Sequence, residues 1–163
     1  MDRQSAALMQ RMVAQAVARE VNRNNPENLD AKRRDFYIYE AEALALAAGG
    51  TANDVINIEA DSRFILQKLS YQADIAAAAY TDSTRPWPNV SIQLVDTGSG
   101  RQLMQNPIPL TSFMGTGELP FYLPNPRAFD RNSTIQVAFT NFDAAVTYNI
   151  RLAFIGYKIY GTA

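Results

Sequence analysis

Residues 90–101 read VSIQLVDTGSGR, and the rest of the chain is interpreted differently according to what Asp96 does there. The run from Val90 to Val95 alternates apolar and polar positions, the period of a half-buried strand. Two readings of the next five residues compete. In one, Asp96 is half of a carboxylate pair that shares a proton and activates water. In the other, Asp, Gly and Ser supply the local hydrogen bonds and positive φ of a hairpin turn. The hairpin reading puts Ile92 and Leu94 toward a core, Ser91 and Gln93 outward, and no second carboxylate within hydrogen-bonding distance of Asp96.

Composition narrows the chemistry around that stretch. The chain has 163 residues, the size of one domain with an appendage, and a formal net charge of −1. It contains no cysteine, so a disulfide framework and a thiolate zinc site are both absent. It contains no histidine either, which removes the imidazole general base, the Ser-His and Cys-His nucleophile pairs and His-ligated metals. No apolar run approaches the roughly 20 residues of a membrane helix. Arg3, Arg11 and Arg19 interrupt the N-terminal segment, so it has no signal-peptide core, and a soluble, non-exported protein is expected. Asn89-Val-Ser and Asn132-Ser-Thr match the glycosylation triplet and are read as chance matches.

Working outward, the period changes along the chain. Over residues 6–21 Met9, Val13, Val17 and Val21 recur every four positions, with Met12 alongside, while Arg11, Gln15 and Arg19 face away. This spacing predicts an amphipathic helix with one apolar stripe. Residues 22–30, with Asn24-Asn25-Pro26, end it as a linker, and Lys32-Arg33-Arg34 follows. Residues 1–34 hold seven basic and four acidic side chains, net +3, against eight and twelve, net −4, for the remainder. An arm over 1–34 and a β-sandwich over 35–163 are expected. The arm's charge suits nucleic acid or an acidic protein surface as well as plain solvent, and its stripe of Met9, Met12, Val13, Val17 and Val21 suits a neighbouring subunit.

Beyond the linker the period is two. Strands are expected over 36–39, 43–47 (where the Ala-Leu run also suits helix), 55–58, 64–71, 90–95, 134–140 and 147–155, with short candidates at 103–104 and 108–113. Pro86-Trp87-Pro88 forbids regular pairing, and Trp87 is expected to plug the end of the core. Residues 120–126, punctuated by prolines, read as a crossover. Roughly eight short strands with turn signals between them point to an antiparallel sandwich, jelly-roll-like in its strand count. Asp54, Glu59, Asp61, Asp74 and Asp82 lack calcium-loop spacing and read as solvated. A carbohydrate-binding sandwich has the same fold class, but Trp87 stands alone with no cluster of exposed aromatics around it.

Leu94-Val-Asp-Thr-Gly-Ser99 resembles the catalytic motif of aspartic proteases. With one copy, the resemblance implies a retroviral-type dimer acting through Asp96. Gly115-Thr-Gly117 then falls where a flap would sit, and Phe154-Ile-Gly156 resembles the segment behind the active site. Against this, seven residues follow Gly156, too few for the closing helix and terminal strand of such enzymes, and Tyr157-Lys-Ile-Tyr160 continues the strand alternation. Gly156 then reads as a bulge or bend within a strand.

A second resemblance covers about residues 42–160. The segments 47–58 (AAGGTANDVINI), 60–71 (ADSRFILQKLSY) and 73–75, then 96–103, 107–110, 113–117, 119–120, 123–129, 135–141 and 148–158, are similar to auxiliary virion proteins of tailed bacteriophages. The resemblance implies a sandwich that cements or decorates a capsid, or forms a collar at the head–tail junction. It further implies a homo-oligomer made in the bacterial host cytoplasm and resident in the virion. Its partners would be copies of itself and a major capsid or portal protein, with no catalytic residue, cofactor, metal or small-molecule substrate.

Overall fold

The computed structural model describes residues 34–78 and 86–160. The predicted helix, with Met9, Met12, Val13, Val17 and Val21, lies outside the described residues. The described chain is mainly β, as the alternation requires. In order, the strands are β1 (Arg34–Leu46), β2 (Thr51–Asn57), β3 (Ser62–Ile75), β4 (Val90–Asp96), β5 (Arg101–Gln102), β6 (Ile108–Pro109), β7 (Phe121–Phe129), β8 (Thr134–Asn141) and β9 (Tyr148–Tyr160). Among the described residues the single helix is one turn, α1 (Leu110–Phe113).

The strands form two antiparallel sheets, ordered β1-β9-β3-β7 and β2-β8-β4-β5, with β6 added beside β4. Period-two patterning turns one side of each sheet into a single shared core. Ile135, Val137 and Phe139 from β8 and Ile92 and Leu94 from β4 are buried with Phe64, Leu66, Ile150, Leu152 and Phe154 from the first sheet. Each such side chain contributes roughly 1.5–3 kcal/mol by leaving water.

The inward set on β3 runs Phe64, Leu66, then Leu69 and Ala73, and the odd step has a structural cause. Leu66 pairs with Gly156 and Lys68 with Ile155, so Gln67 is an extra residue, a bulge that inverts the parity of the strand. Without it Lys68 would point into the core and Leu69 into solvent. The bulge lies on β3, and Gly156 is the residue facing it. A Cβ on Gly156 would lie 1.9 Å from the Ile65 carbonyl oxygen, which is why a glycine is needed in an otherwise apolar strand.

The Ala-Leu run is strand, as expected, and not helix, because β1 pairs with β9 from Arg34 onward, with an irregularity between Ala43 and Leu46. At that irregularity Ala45 takes a φ of 52° and its amide donates to Asn149 Oδ1 at 2.8 Å. Other expectations change. Residues 121–129 are an edge strand and not a crossover. Leu66 pairs with Arg127 and Lys68 with Tyr122, so Pro124 and Pro126 lie in the interrupted part of the ladder, where no amide is required. Residues 110–113 are helical where a strand was a candidate. Ser91 is buried, since β6 brings Pro109 opposite it. Trp87 does not plug the core: it is 82% exposed. Phe64, Phe129, Phe139 and Phe154 fill the interior instead.

Gly156→Ala should therefore destabilise the fold by about 2–4 kcal/mol, because the obstacle is backbone and cannot rotate away. Gly117→Ala, which meets open space, should cost under about 1 kcal/mol. Urea denaturation of the two variants checks the contrast.

Candidate functional site

Asp96 is the last residue of β4 and is 3% exposed. Its Oδ1 accepts the amides of Gly98 (3.0 Å) and Ser99 (3.3 Å). Its Oδ2 accepts the Ser99 hydroxyl (2.6 Å) and Nη2 of Arg127 (3.1 Å). Two amides, one hydroxyl and one guanidinium occupy the carboxylate, and none of these partners is a carboxyl. Burial alone would raise the pKa of Asp96, but Ser99, Arg127 and the two amides outweigh it and hold the group below its ordinary range. A shared-proton pair needs the opposite, a like charge that raises one member.

Every letter of Asp-Thr-Gly-Ser-Gly has a mechanical role. The Thr97 amide and hydroxyl both donate to the Thr134 carbonyl, at 2.9 and 3.0 Å, extending the β4–β8 ladder by one step. Gly98 lies so close to Ser133 that an added Cβ would be 2.4 Å from that residue's Cβ. Ser99 caps the carboxylate, and Gly100 takes a φ of +64°, the left-handed position that favours glycine. Arg127 comes from β7 in the other sheet, so the ion pair joins the two sheets. The hairpin signal was legible in the sequence. Arg127, 31 residues away, carried no local signal.

A second cluster lies at the start of β3. Lys158 is 5% exposed, and its Nζ lies 2.8 Å from Glu59 Oε2 and 3.6 Å from the centroid of the Tyr37 ring. The Tyr39 hydroxyl donates to the same Glu59 oxygen. Burial would push the Lys158 pKa down, but the hydrogen bond and charge of Glu59 push it above its ordinary value. Burial, then Glu59, raises Tyr39 far beyond its usual range. All three groups keep one protonation state near neutrality, which makes the cluster a clasp. Sequence reading took Glu59 as solvated. Glu59 is indeed half-exposed, and what was missed is its pairing, whose signal was Lys158 itself, a charge at an inward position of β9 that needs a counter-charge.

The other acidic candidates are dispersed. Asp54 accepts the Glu42 amide at 2.8 Å, Asp61 the Ser62 hydroxyl at 2.8 Å and Asp74 the Gln72 side-chain amide at 3.1 Å. Asp82 lies outside the described residues. Among the described residues no three acidic groups converge as a metal site.

The outward face of the first sheet has its own organisation. Register places Phe36 beside Tyr157 and Ile65, then Ile38 beside Ile155, Lys68 and Tyr122. The next rows are polar, with Glu40 beside Ala153 and Ser70, then Glu42 beside Arg151 and Gln72. Half of this face is therefore apolar and aromatic. Phe36 is 72% and Ile38 47% exposed, and both lie on β1, whose only ladder among the described residues is with β9. Comparison with protein-family models, curated proteins and solved structures finds no match for this chain.

The depressed pKa of Asp96 fixes the sign of a pH effect. Its contribution to stability is complete above the ordinary carboxylate range and is lost as pH falls through its lower folded value. Asp96→Asn should flatten the stability profile below about pH 4, and Asp96→Ala should cost about 1–3 kcal/mol at pH 7. Chemical denaturation across pH 2–7 reads both. A stability–pH profile of Asp96→Asn that parallels the native one would contradict this account.

Proposed function

We propose that the chain is a non-enzymatic structural protein of a tailed-phage virion, a jelly-roll sandwich that cements the capsid or forms a collar at the head–tail junction. Strand order supports the jelly-roll reading. With the two-residue β6 set aside, eight strands remain, and first pairs with last: β1 with β9, β2 with β8, β3 with β7 and β4 with β5. This is one long hairpin rolled up so that alternate pairs fall in opposite sheets. In this reading Asp96 is the anchor of the innermost turn, and no step of peptide hydrolysis is assigned to it.

The observation that carries an assembly role is the apolar half-face at Phe36, Ile38, Ile155 and Tyr157, beside the side of β1 that has no strand neighbour among the described residues. A long, apolar edge strand is a liability that proteins ordinarily blunt with charge, proline or a cover. Here Phe36 and Ile38 stand in the open, immediately after the sequence-predicted arm. A homo-oligomer that buries this face, with Met9, Met12, Val13, Val17 and Val21 of each arm docked on a neighbouring subunit, accounts for both features. Capsid or portal protein is the further partner implied by the resemblance to auxiliary virion proteins.

Light scattering behind size exclusion tests this. The native chain should run as an oligomer. Phe36→Asp with Ile38→Lys should shift it to monomer while the denaturation midpoint of the subunit stays near native. Deletion of residues 1–24 should leave the β domain folded and abolish incorporation into particles. A monomeric native chain at high concentration, or normal incorporation of the deletion, overturns the proposal.

A further inference from the structure

Trp87 is the only tryptophan of the chain, and it is displayed to solvent. Leaving an indole outside gives up the transfer free energy its burial would supply, and singly exposed large aromatics in a rigid setting are typical anchors for a ligand. The setting here is rigid. Pro86 and Pro88 bracket Trp87, Pro88 is buried, and the Asn89 carbonyl accepts the Phe142 amide at 2.9 Å before β4 begins at Val90. Little entropy is left to lose when something stacks on the ring.

Trp87 forms one wall of a cleft of about 420 Å³ shared with Pro86, Tyr71, Gln72, Thr116 and Glu118. The opposite wall is equally fixed. Beyond Leu69 strand β3 has no β7 partner, and its Tyr71 amide instead donates to the Gly115 carbonyl at 2.8 Å. The Leu119 amide donates to the Thr116 hydroxyl at 3.3 Å. A Cβ on Gly115 would lie 1.9 Å from the Leu119 carbonyl oxygen, so the loop closes tightly on itself. The cleft continues into a second depression of about 330 Å³ that shares Tyr71, Gln72 and Gly117 and reaches Glu40 and Arg151.

The lining selects a ligand class. Two aromatic side chains offer apolar surface, while an amide, a hydroxyl and a carboxylate offer hydrogen bonds within the same small volume. A lipid would desolvate the Glu118 carboxylate without pairing it. A pyranose has the matching duality, an apolar C–H face and a rim of hydroxyls. Among the described residues lining the cleft, Glu118 is the only ionisable group apart from the Tyr71 phenol, so an acidic sugar is repelled and a neutral one admitted.

We propose that the Trp87–Tyr71 cleft binds a neutral oligosaccharide, one ring stacking on the indole and its hydroxyls bonding Gln72, Thr116 and Glu118. The Trp87 end of the cleft shares no lining residue with the apolar face at Phe36, whereas its continuation reaches Ile38 of that face, so the proposal rests on the Trp87 end alone.

The single tryptophan makes the test direct. The full chain is titrated with β-1,4-linked hexamers of glucose and of N-acetylglucosamine while indole emission is followed. At least one should give a saturable blue shift with a Kd of about 0.1–1 mM, roughly −5.5 to −4 kcal/mol. By calorimetry Trp87→Ala should weaken binding at least tenfold and Glu118→Ala about threefold to tenfold, with unchanged thermal midpoints because both positions are exposed. A polygalacturonate oligomer should not bind. No saturable change up to about 10 mM with either hexamer, equal affinity in Trp87→Ala, or equal binding of the anionic oligomer overturns the proposal.

Discussion

The close approach of Gly156 to the Ile65 carbonyl is the constraint on which the first sheet depends. Strand β9 pairs along its length with β1 on one side and β3 on the other, so three of that sheet's four strands are held through it. The bulge at Gln67 opposite Gly156 sets which residues of β3 face inward. A one-residue error there exchanges core and solvent faces over the rest of the strand. The same bulge coincides with the break in β7, which lets two prolines sit in a strand at the sheet edge. One small residue thus permits the local geometry that keeps Leu66 and Leu69 inside and Lys68 outside.

Around the apolar interior the two layers are joined by polar clasps at the perimeter. Asp96 and Arg127 join β4 to β7, and Glu59 with Tyr39 and Lys158 joins the β2–β3 connection to β1 and β9. At the far end Asn141 donates to the carbonyls of Leu46, Ala47 and Val146, at 3.2, 3.0 and 2.9 Å, tying β8 to the end of β1. Each clasp satisfies groups that would otherwise be stranded between layers. Removing Glu59 leaves the buried Lys158 ammonium without its counter-charge, which costs more than the bond contributes, whereas Arg127 and Glu59 are exposed enough to be rehydrated.

What was legible in the sequence follows from how local each signal is. The long strands around Phe64, Ile135 and Ile150 alternate strongly enough that pattern alone places them, and the Asp96 turn carries its own φ and hydrogen-bond chemistry. Residues 121–129 were misread because proline argues against a strand only where an amide is needed. The bulge that removes that need is set by β3, more than fifty positions earlier. Glu59 and Arg127 were invisible for the same reason, since each is defined by a partner on a distant strand. The predicted arm, and with it the stripe of Met9, Met12, Val13, Val17 and Val21, lies outside the described residues, so its contribution rests on pattern.

Trp87 shows why a lone aromatic is ambiguous in sequence and not in structure. Indole is large enough to close a core, and a chain with one tryptophan usually buries most of it. Here four phenylalanines already fill the space between the sheets, and a protein interior at crystal-like density has no room for a further ring of that size. Flanking prolines then determine where the ring goes, because Pro88 packs inward and the fixed φ on both sides carries Trp87 out. The same geometry that forbids strand pairing at 86–88 places the indole at the cleft that Tyr71 also lines. A segment that reads as a breaker in sequence becomes, once β3 and the 115–118 loop are beside it, the most pre-organised apolar surface at that end of the fold.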